Sequence, residues 1–315
     1  MGGKRIVNTL FLVFLKIVVA VAIGFLLRKH RVLDERMQKG LSDMLLRAIL
    51  PFSILASANY PKSDDVFRGM IAAFIAAVIY YSVSLVILRA ISKKLPFQDN
   101  EKRVFVTMTT FANTSFVGFP VMSALYGDHG LLLAVVFNMA YNIFMYTYGV
   151  HLLSGKSGDW KEVFLNPVTI SSVVAIAIFV SPWTLPVYVS DPITLISNMT
   201  VPLSMIIIGS NLATLPFQKV LSDPKSYLVS LMRLLIIPGS VMLCVFLLYK
   251  MFPMLPTTAS VIVLMCALPC GSMNVILSEK YNCAPDYAAR ATVQSMILTL
   301  ITLPLMVFFC MKMFV

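Results

Sequence analysis

Apolar runs of about twenty residues recur along the whole of this chain, joined by short polar connections. Such a run, wound as a helix, matches the roughly 30 Å hydrocarbon core of a bilayer. Lipid offers no partners to backbone N–H and C=O groups, so only helices or closed barrels can cross it. Runs of this length select helices. Of the 315 residues, 59% are hydrophobic and 12% are charged, which is incompatible with a water-facing surface of ordinary extent. Ten spans are expected, at about 7–27, 39–59, 66–91, 103–126, 130–153, 167–183, 193–213, 226–250, 257–280 and 286–311. The longest connection, 154–166, is too short and too polar to fold by itself, so residues 1–315 form one membrane domain.

The net charge of +11 does not point to nucleic acid, because the basic residues sit at span ends and no basic tail or basic-aromatic module is present. The loops after odd-numbered spans carry 16 Lys and Arg against 6 on the opposite side, termini included. By the positive-inside tendency the odd loops are cytoplasmic and both termini extracytoplasmic, in a plasma or bacterial inner membrane. The N-terminus mimics a secretory signal, but Arg28-Lys29-His30-Arg31 follows where a cleavage site belongs, so the first span is expected to be retained. The five cysteines lie in or beside apolar spans, far in sequence from the three histidines, and read as small buried residues. No metal site is expected. Gly155-Lys156-Ser157 lacks both the glycine spacing and the strand of a phosphate loop, and no other catalytic fingerprint occurs. Neither an enzyme nor a cofactor is indicated.

One stretch is out of place. Phe111-Ala112-Asn113-Thr114-Ser115-Phe116-Val117-Gly118-Phe119-Pro120 lies in mid-span yet strings polar residues together and ends in helix-weakening Gly118 and Pro120. A broken helix at that depth must be buried in protein or line a watery cavity. Pro269-Cys270-Gly271-Ser272-Met273-Asn274 holds the corresponding place in span nine. Leu50-Pro51-Phe52-Ser53 is echoed by Val201-Pro202-Leu203-Ser204, each running on to an asparagine, Asn59 or Asn211. Paired interruptions in two halves are a pointer to a transporter built from inverted repeats. The expected fold is all-α: ten transmembrane helices in two inverted five-helix repeats, about 1–153 and 167–315, with helices four and nine broken.

Charge at depth narrows the chemistry. The acidic residues fall in loops or near span ends, whereas Lys16, Arg47 and Arg233 lie inside spans with no carboxylate at matching depth. Arg233, a third of the way along its helix, is expected to snorkel to the cytoplasmic face; Lys16 and Arg47, nearer the centre, either snorkel or attract an anion. The breaks hold no carboxylate to carry a proton or sodium ion, and positive half-helix ends favour an anion there. Candidate substrate contacts are Asn113, Thr114, Ser115, Cys270, Ser272 and Asn274 on the breaks, with Ser53 and, from a polar stripe in span five, Asn142. For most of these the alternative is a hydrogen bond between packed helices. Pro51, Gly118, Pro120, Pro202, Pro269 and Gly271 read as structural hinges.

These residues resemble the auxin efflux carrier family, whose compact bacterial members include malate and malonate permeases. The likeness runs from Gly24-Phe25-Leu26-Leu27-Arg28-Lys29 with Val32-Leu33-Asp34, through Leu50-Pro51-Phe52-Ser53, the Asn113-to-Pro120 element and Leu125-Tyr126-Gly127, to Pro269–Asn274 and Thr302-Leu303-Pro304-Leu305. The resemblance implies helices four and nine unwound and crossing at the substrate. It implies an elevator-like division into scaffold spans (7–27, 39–59, 167–183, 193–213) and transport spans (66–153, 226–311), and a homodimer through the scaffold. The expected activity is transport of small organic anions, mono- or dicarboxylates or auxin-like acids. The rivals are a sodium-coupled symporter of bile-acid type, using Thr107, Thr109, Thr110 and Gln294, and a non-transporting ligand sensor.

Overall fold

The computed structural model describes residues 2–155, 164–181, 185–213 and 223–314, with side chains from Leu15 onward. Among them every regular element is helical. The elements are α1 (Gly2–Lys29), α2 (Glu35–Ser57), α3 (Asp64–Lys94), α4 (Asp99–Thr110), α5 (Thr114–Ser154), α6 (Pro167–Val180), α7 (Val187–Ser197), α8 (Thr200–Ala213), α9 (Pro224–Met251), α10 (Pro256–Cys266), α11 (Ser272–Lys280) and α12 (Pro285–Phe314).

Six stretches among the described residues are long and apolar enough to cross a membrane: α2, α3, α5, α7 with α8, α9 and α12. The ten-span expectation divides the chain differently: α1 is not among the six, α6 is an apolar helix of only 14 residues, and two further differences are local. The fourth and ninth runs are each cut short, leaving α4, α10 and α11 as pieces of 12, 11 and 9 residues. The end of the fourth run and all of the fifth instead join as α5, bent at Gly127, where φ 60 and ψ −150 interrupt the helix.

Start signals are those that capping chemistry favours. Asp34 and Ser63 accept hydrogen bonds from Met37 N and Val66 N, opening α2 and α3. Gln98 and Glu101 form a reciprocal capping box on α4. Asn166 and Asp223 cap α6 and α9, each followed by proline at the first helical position.

Of the prolines read as hinges, Pro51, Pro120 and Pro202 lie within helices. Leu45–Ile49, Thr114–Gly118 and Met232–Ile236 are π turns, and Pro51, Pro120 and Pro238 follow two residues after each. Proline lacks an N–H and clashes with the carbonyl four residues back; a widened turn lets the helix continue through it. Gly118 and Pro120 are therefore helical, and the interruption lies before them, at Phe111–Asn113. Pro202 sits in the first turn of α8, where no N–H is required.

Helices α1 and α8 meet backbone to backbone. A Cβ on Gly24 would stand 2.0 Å from Ile206 O, and one on Gly209 would stand 1.9 Å from Val21 O. Small residues at such a contact permit the close approach on which membrane helix packing relies. The buried core, to which α8 contributes Met205, Ile207 and Leu212, includes Tyr81, Phe111, Phe137 and Tyr141, whose rings meet edge-on or stacked. It holds the two breaks in place.

Candidate functional site

The two interruptions lie side by side. Ala112 and Cys270 form an antiparallel bridge, Asn113 N donates to Pro269 O at 2.8 Å, and Gly271 N donates to Phe111 O at 3.0 Å. Each break thus supplies the backbone partners that the other has lost, which satisfies polar groups that lipid could not. Side chains complete the junction. Asn113 Oδ1 accepts from Phe116 N at 3.2 Å, capping α5, while its Nδ2 donates to Ser272 Oγ at 3.1 Å. Asn274 Nδ2 donates to Phe111 O at 2.9 Å and Gly271 O at 3.1 Å.

A cavity of about 470 Å³ opens beside this junction. Asn113, Thr114, Ser115 and Phe116 bring the N-terminus of α5 to it, and Gly271, Ser272 and Met273 bring that of α11. Asp43 and Arg47, one helical turn apart on α2, also line it, as do Tyr141, Asn142, Tyr146 and Asn166. A second hollow of about 440 Å³ shares Tyr146, Asn166 and Met273 and adds Lys280. Helix N-termini present unpaired N–H groups and a positive dipole end, so two of them at one cavity make a setting for negative charge. Arg47 is exposed and in no ion pair among the described residues, which leaves its guanidinium available.

The sequence candidates divide. Asn113, Thr114, Ser115, Asn142, Ser272 and Arg47 come together on the cavity wall. Thr114 Oγ1 also donates to Asn138 Oδ1 at 2.6 Å, and Asn142 Nδ2 donates to Thr169 Oγ1 at 2.8 Å, tying α5 to itself and to α6. Ser53 is buried and accepts from Ser197 Oγ at 3.2 Å, because the helix continues past Pro51 and turns it toward α7. Cys270 and Asn274 are fully buried behind the junction, Cys270 N bonding Ser295 Oγ at 3.0 Å. Lys16 is exposed on α1 and lies outside the cavity lining. Pro269 occupies the second break itself. Lys156 and Ser157 fall outside the described residues.

Arg233 corrects the expectation of snorkelling. It is 0% exposed, and its Nε donates to Leu268 O at 2.9 Å. Its Nη1 donates to Thr109 O at 3.2 Å, to Thr110 O at 3.0 Å and to the Tyr80 hydroxyl. The π turn that contains it directs the side chain inward to these carbonyls. Asp43, Tyr146 and Asn166 are cavity residues that the sequence candidates omit. Asp43 had a signal, lying four residues before Arg47 and hence on its face.

A polar cluster ties together the starts of α4 and α9 and the first turns of α12. Lys225 Nζ lies 2.6 Å from Glu101 Oε1, Arg290 Nε lies 3.0 Å from Asp223 Oδ2, and Ser226 Oγ donates to Asp223 Oδ2 at 2.8 Å. The Lys225 hydrogen bond holds the Glu101 carboxyl below its usual range. Partial burial pulls Asp223 upward, yet the bonds from Ser226, Arg290 and the Lys225 N–H bring it below the usual range. Carboxyls lowered by folding stabilise the protein above their unfolded values, near 4, and lose that contribution as pH falls through the folded ones. Melting temperature should therefore fall on acidification below about pH 4. Glu101→Gln should flatten that fall, at a neutral-pH cost of about 1 kcal/mol or less after solvent screening. An unaltered acid limb in Glu101→Gln would remove the pair from this role.

The architecture and cavity describe a polytopic helical membrane protein with a polar pocket at two broken helices. The family model for membrane transport proteins matches residues 9–162 and 156–307, and the chain belongs to that family, the auxin efflux carrier grouping that its motifs resemble. It is 22% identical over 294 residues to an uncharacterized transporter of Methanothermobacter thermautotrophicus, covering 92% of this chain and 95% of that one. It is also 22% identical over 214 residues to an uncharacterized transporter of Methanocaldococcus jannaschii, covering 64% and 68%. The protein is a membrane transport protein and not an enzyme.

Proposed function

We propose that this protein is a secondary carrier of small organic anions, mono- or dicarboxylates and auxin-like acids among them, working by elevator-type alternating access. The observation that carries the reading is the cavity at which two half-helix N-termini meet Arg47 and a set of amide and hydroxyl donors. A carboxylate seated there would accept from Ser115, Ser272 and the first-turn N–H groups of α5 and α11, with Arg47 supplying countercharge. Ten spans in a five-plus-five inverted arrangement accommodate the helices when α4 with the first part of α5, and α10 with α11, each count as one broken span. In that arrangement α1, α2 and α6 to α8 are the scaffold, and their exposed apolar side chains, such as Val18, Ile23, Ile170 and Val174, face lipid or a second copy. The charge rule places Lys280 and the start of α2 on the cytoplasmic side, so the cavity opens inward.

Counterflow in proteoliposomes tests this. Vesicles loaded with unlabelled malate, malonate, oxalate, lactate or indole-3-acetate are offered the labelled partner. At least one should exchange, and Asn113→Ala, which uncouples the α5 cap from Ser272, should reduce that exchange roughly tenfold or more. Exchange of none of them by wild-type protein would overturn the reading.

A further inference from the structure

We infer that Arg233 is a tethered cation, built into the carrier to hold the two breaks together from outside the lining of the anion cavity. The breaks create four half-helix ends. Two N-termini line the cavity, and the two C-termini, of α4 and α10, end at Thr110 and Cys266. Their terminal carbonyls carry negative partial charge that no continuing helix neutralises. Exposed carbonyls and C-terminal half-helix ends are what coordinate coupling cations in carriers built from broken helices. Here that coordination is taken up by one side chain of the chain itself. Arg233, arriving from α9, bonds Thr109 O and Thr110 O from one break and Leu268 O from the other. Tyr80, from α3, accepts from Arg233 and donates to Thr110 O at 2.8 Å, and its ring lies 5.9 Å from the guanidinium carbon.

Of the four groups that a sodium site here would use, Thr109 Oγ1 and Thr110 Oγ1 are buried without a partner among the described residues, and the other two are engaged. Thr107 Oγ1 is spent on Val104 O, and Gln294 Oε1 accepts from Ser230 at 3.4 Å. Among the described residues no group of three or more His, Cys, Asp or Glu could hold a metal ion. A buried cation without a carboxylate is expensive, and only a concentrated set of carbonyl dipoles compensates it. Arg233 has that set, with Nη2 its one donor lacking a partner. Its position makes it a positioning residue: it touches neither the cavity wall nor substrate, and it fixes the junction from which Asn113 and Ser272 project.

The inference deepens the carrier reading and rests on it only where exchange is measured. In detergent, wild-type protein should melt at the same temperature in sodium chloride as in choline chloride; a sodium-specific rise would overturn the assignment. Arg233→Ala should melt lower than wild type in choline chloride and recover in part with millimolar methylguanidinium, which wild type should ignore. Absence of that selective recovery would also overturn it. If Arg233→Ala is not obtained folded, Arg233→Gln enters the same comparison, and Arg233→Lys should retain more stability than either. In proteoliposomes, exchange lost in Arg233→Ala should return with methylguanidinium. Selective thermal recovery without exchange by wild-type protein would defeat the anion-carrier reading while leaving the tethered cation standing. Exchange by wild type without recovery of the variant would do the reverse.

Discussion

Gly271→Val should melt well below wild type in detergent and should exchange no carboxylate. A Cβ at Gly271 would stand 2.7 Å from Ala112 O, 3.1 Å from its carbonyl carbon and 3.2 Å from Phe111 O. All three are backbone atoms of the other break, so no rotamer change relieves the contact. The backbone at Gly271 is ordinary, φ −74 and ψ 134, and the requirement is for space alone. Opening the junction enough for a side chain strains the hydrogen bonds of Gly271 N and Asn113 N, so a cost at or above the 1–3 kcal/mol usual for overpacking is expected. Gly40→Val is the control, since nothing lies within 4 Å of a Cβ there. Equal melting of Gly271→Val and wild type would show that the breaks do not depend on each other.

The second large effect concerns charge at the cavity. Arg47→Glu should abolish exchange while leaving the melting temperature close to wild type. Arg47 makes no ion pair among the described residues, so its replacement removes none there. A hydrogen bond to a charged partner contributes about 1.5–3 kcal/mol, which is roughly ten- to a hundredfold in affinity. Reversal adds repulsion between substrate and a second carboxylate beside Asp43. Arg47→Lys keeps the charge but not the paired donors, and should retain exchange at reduced apparent affinity. Undiminished exchange by Arg47→Glu would take the side-chain countercharge out of the mechanism.

The two breaks were legible in the sequence because polar residues strung together inside apolar runs contradict a continuous helix. Their extent was less so. Asn-Thr-Ser followed by Gly-x-Pro reads as one interruption, whereas only Phe111–Asn113 leaves the helix and the rest continues by way of a π turn. Which candidates meet the cavity depended on rotation about each helix axis. Ser115 and Ser272 face it; Asn274, two residues beyond Ser272, turns back to Phe111 O. Arg233 escaped because charge and depth alone favour an escape to water, and the carbonyls that hold it belong to residues over 30 positions away in sequence. Asn166 and Asp43 were open to inference, the first from its Asn-Pro cap and the second from its spacing to Arg47.

The π turns ahead of Pro51, Pro120 and Pro238 have a consequence for how one helix is shared between neighbours. Each inserts one residue into the winding and so advances the downstream face by about 100°, a phase slip in an otherwise regular screw. A span carrying such a slip can present one side to protein in its first half and a different side in its second. In α9, Arg233 is buried within the widened turn, whereas Leu243 and Leu247 beyond Pro238 stand exposed. The hydrophobic stripe of these helices must therefore be read as two arcs joined at the turn, and a single-residue deletion there would rewind the arcs into register and swing every later side chain onto the wrong neighbour.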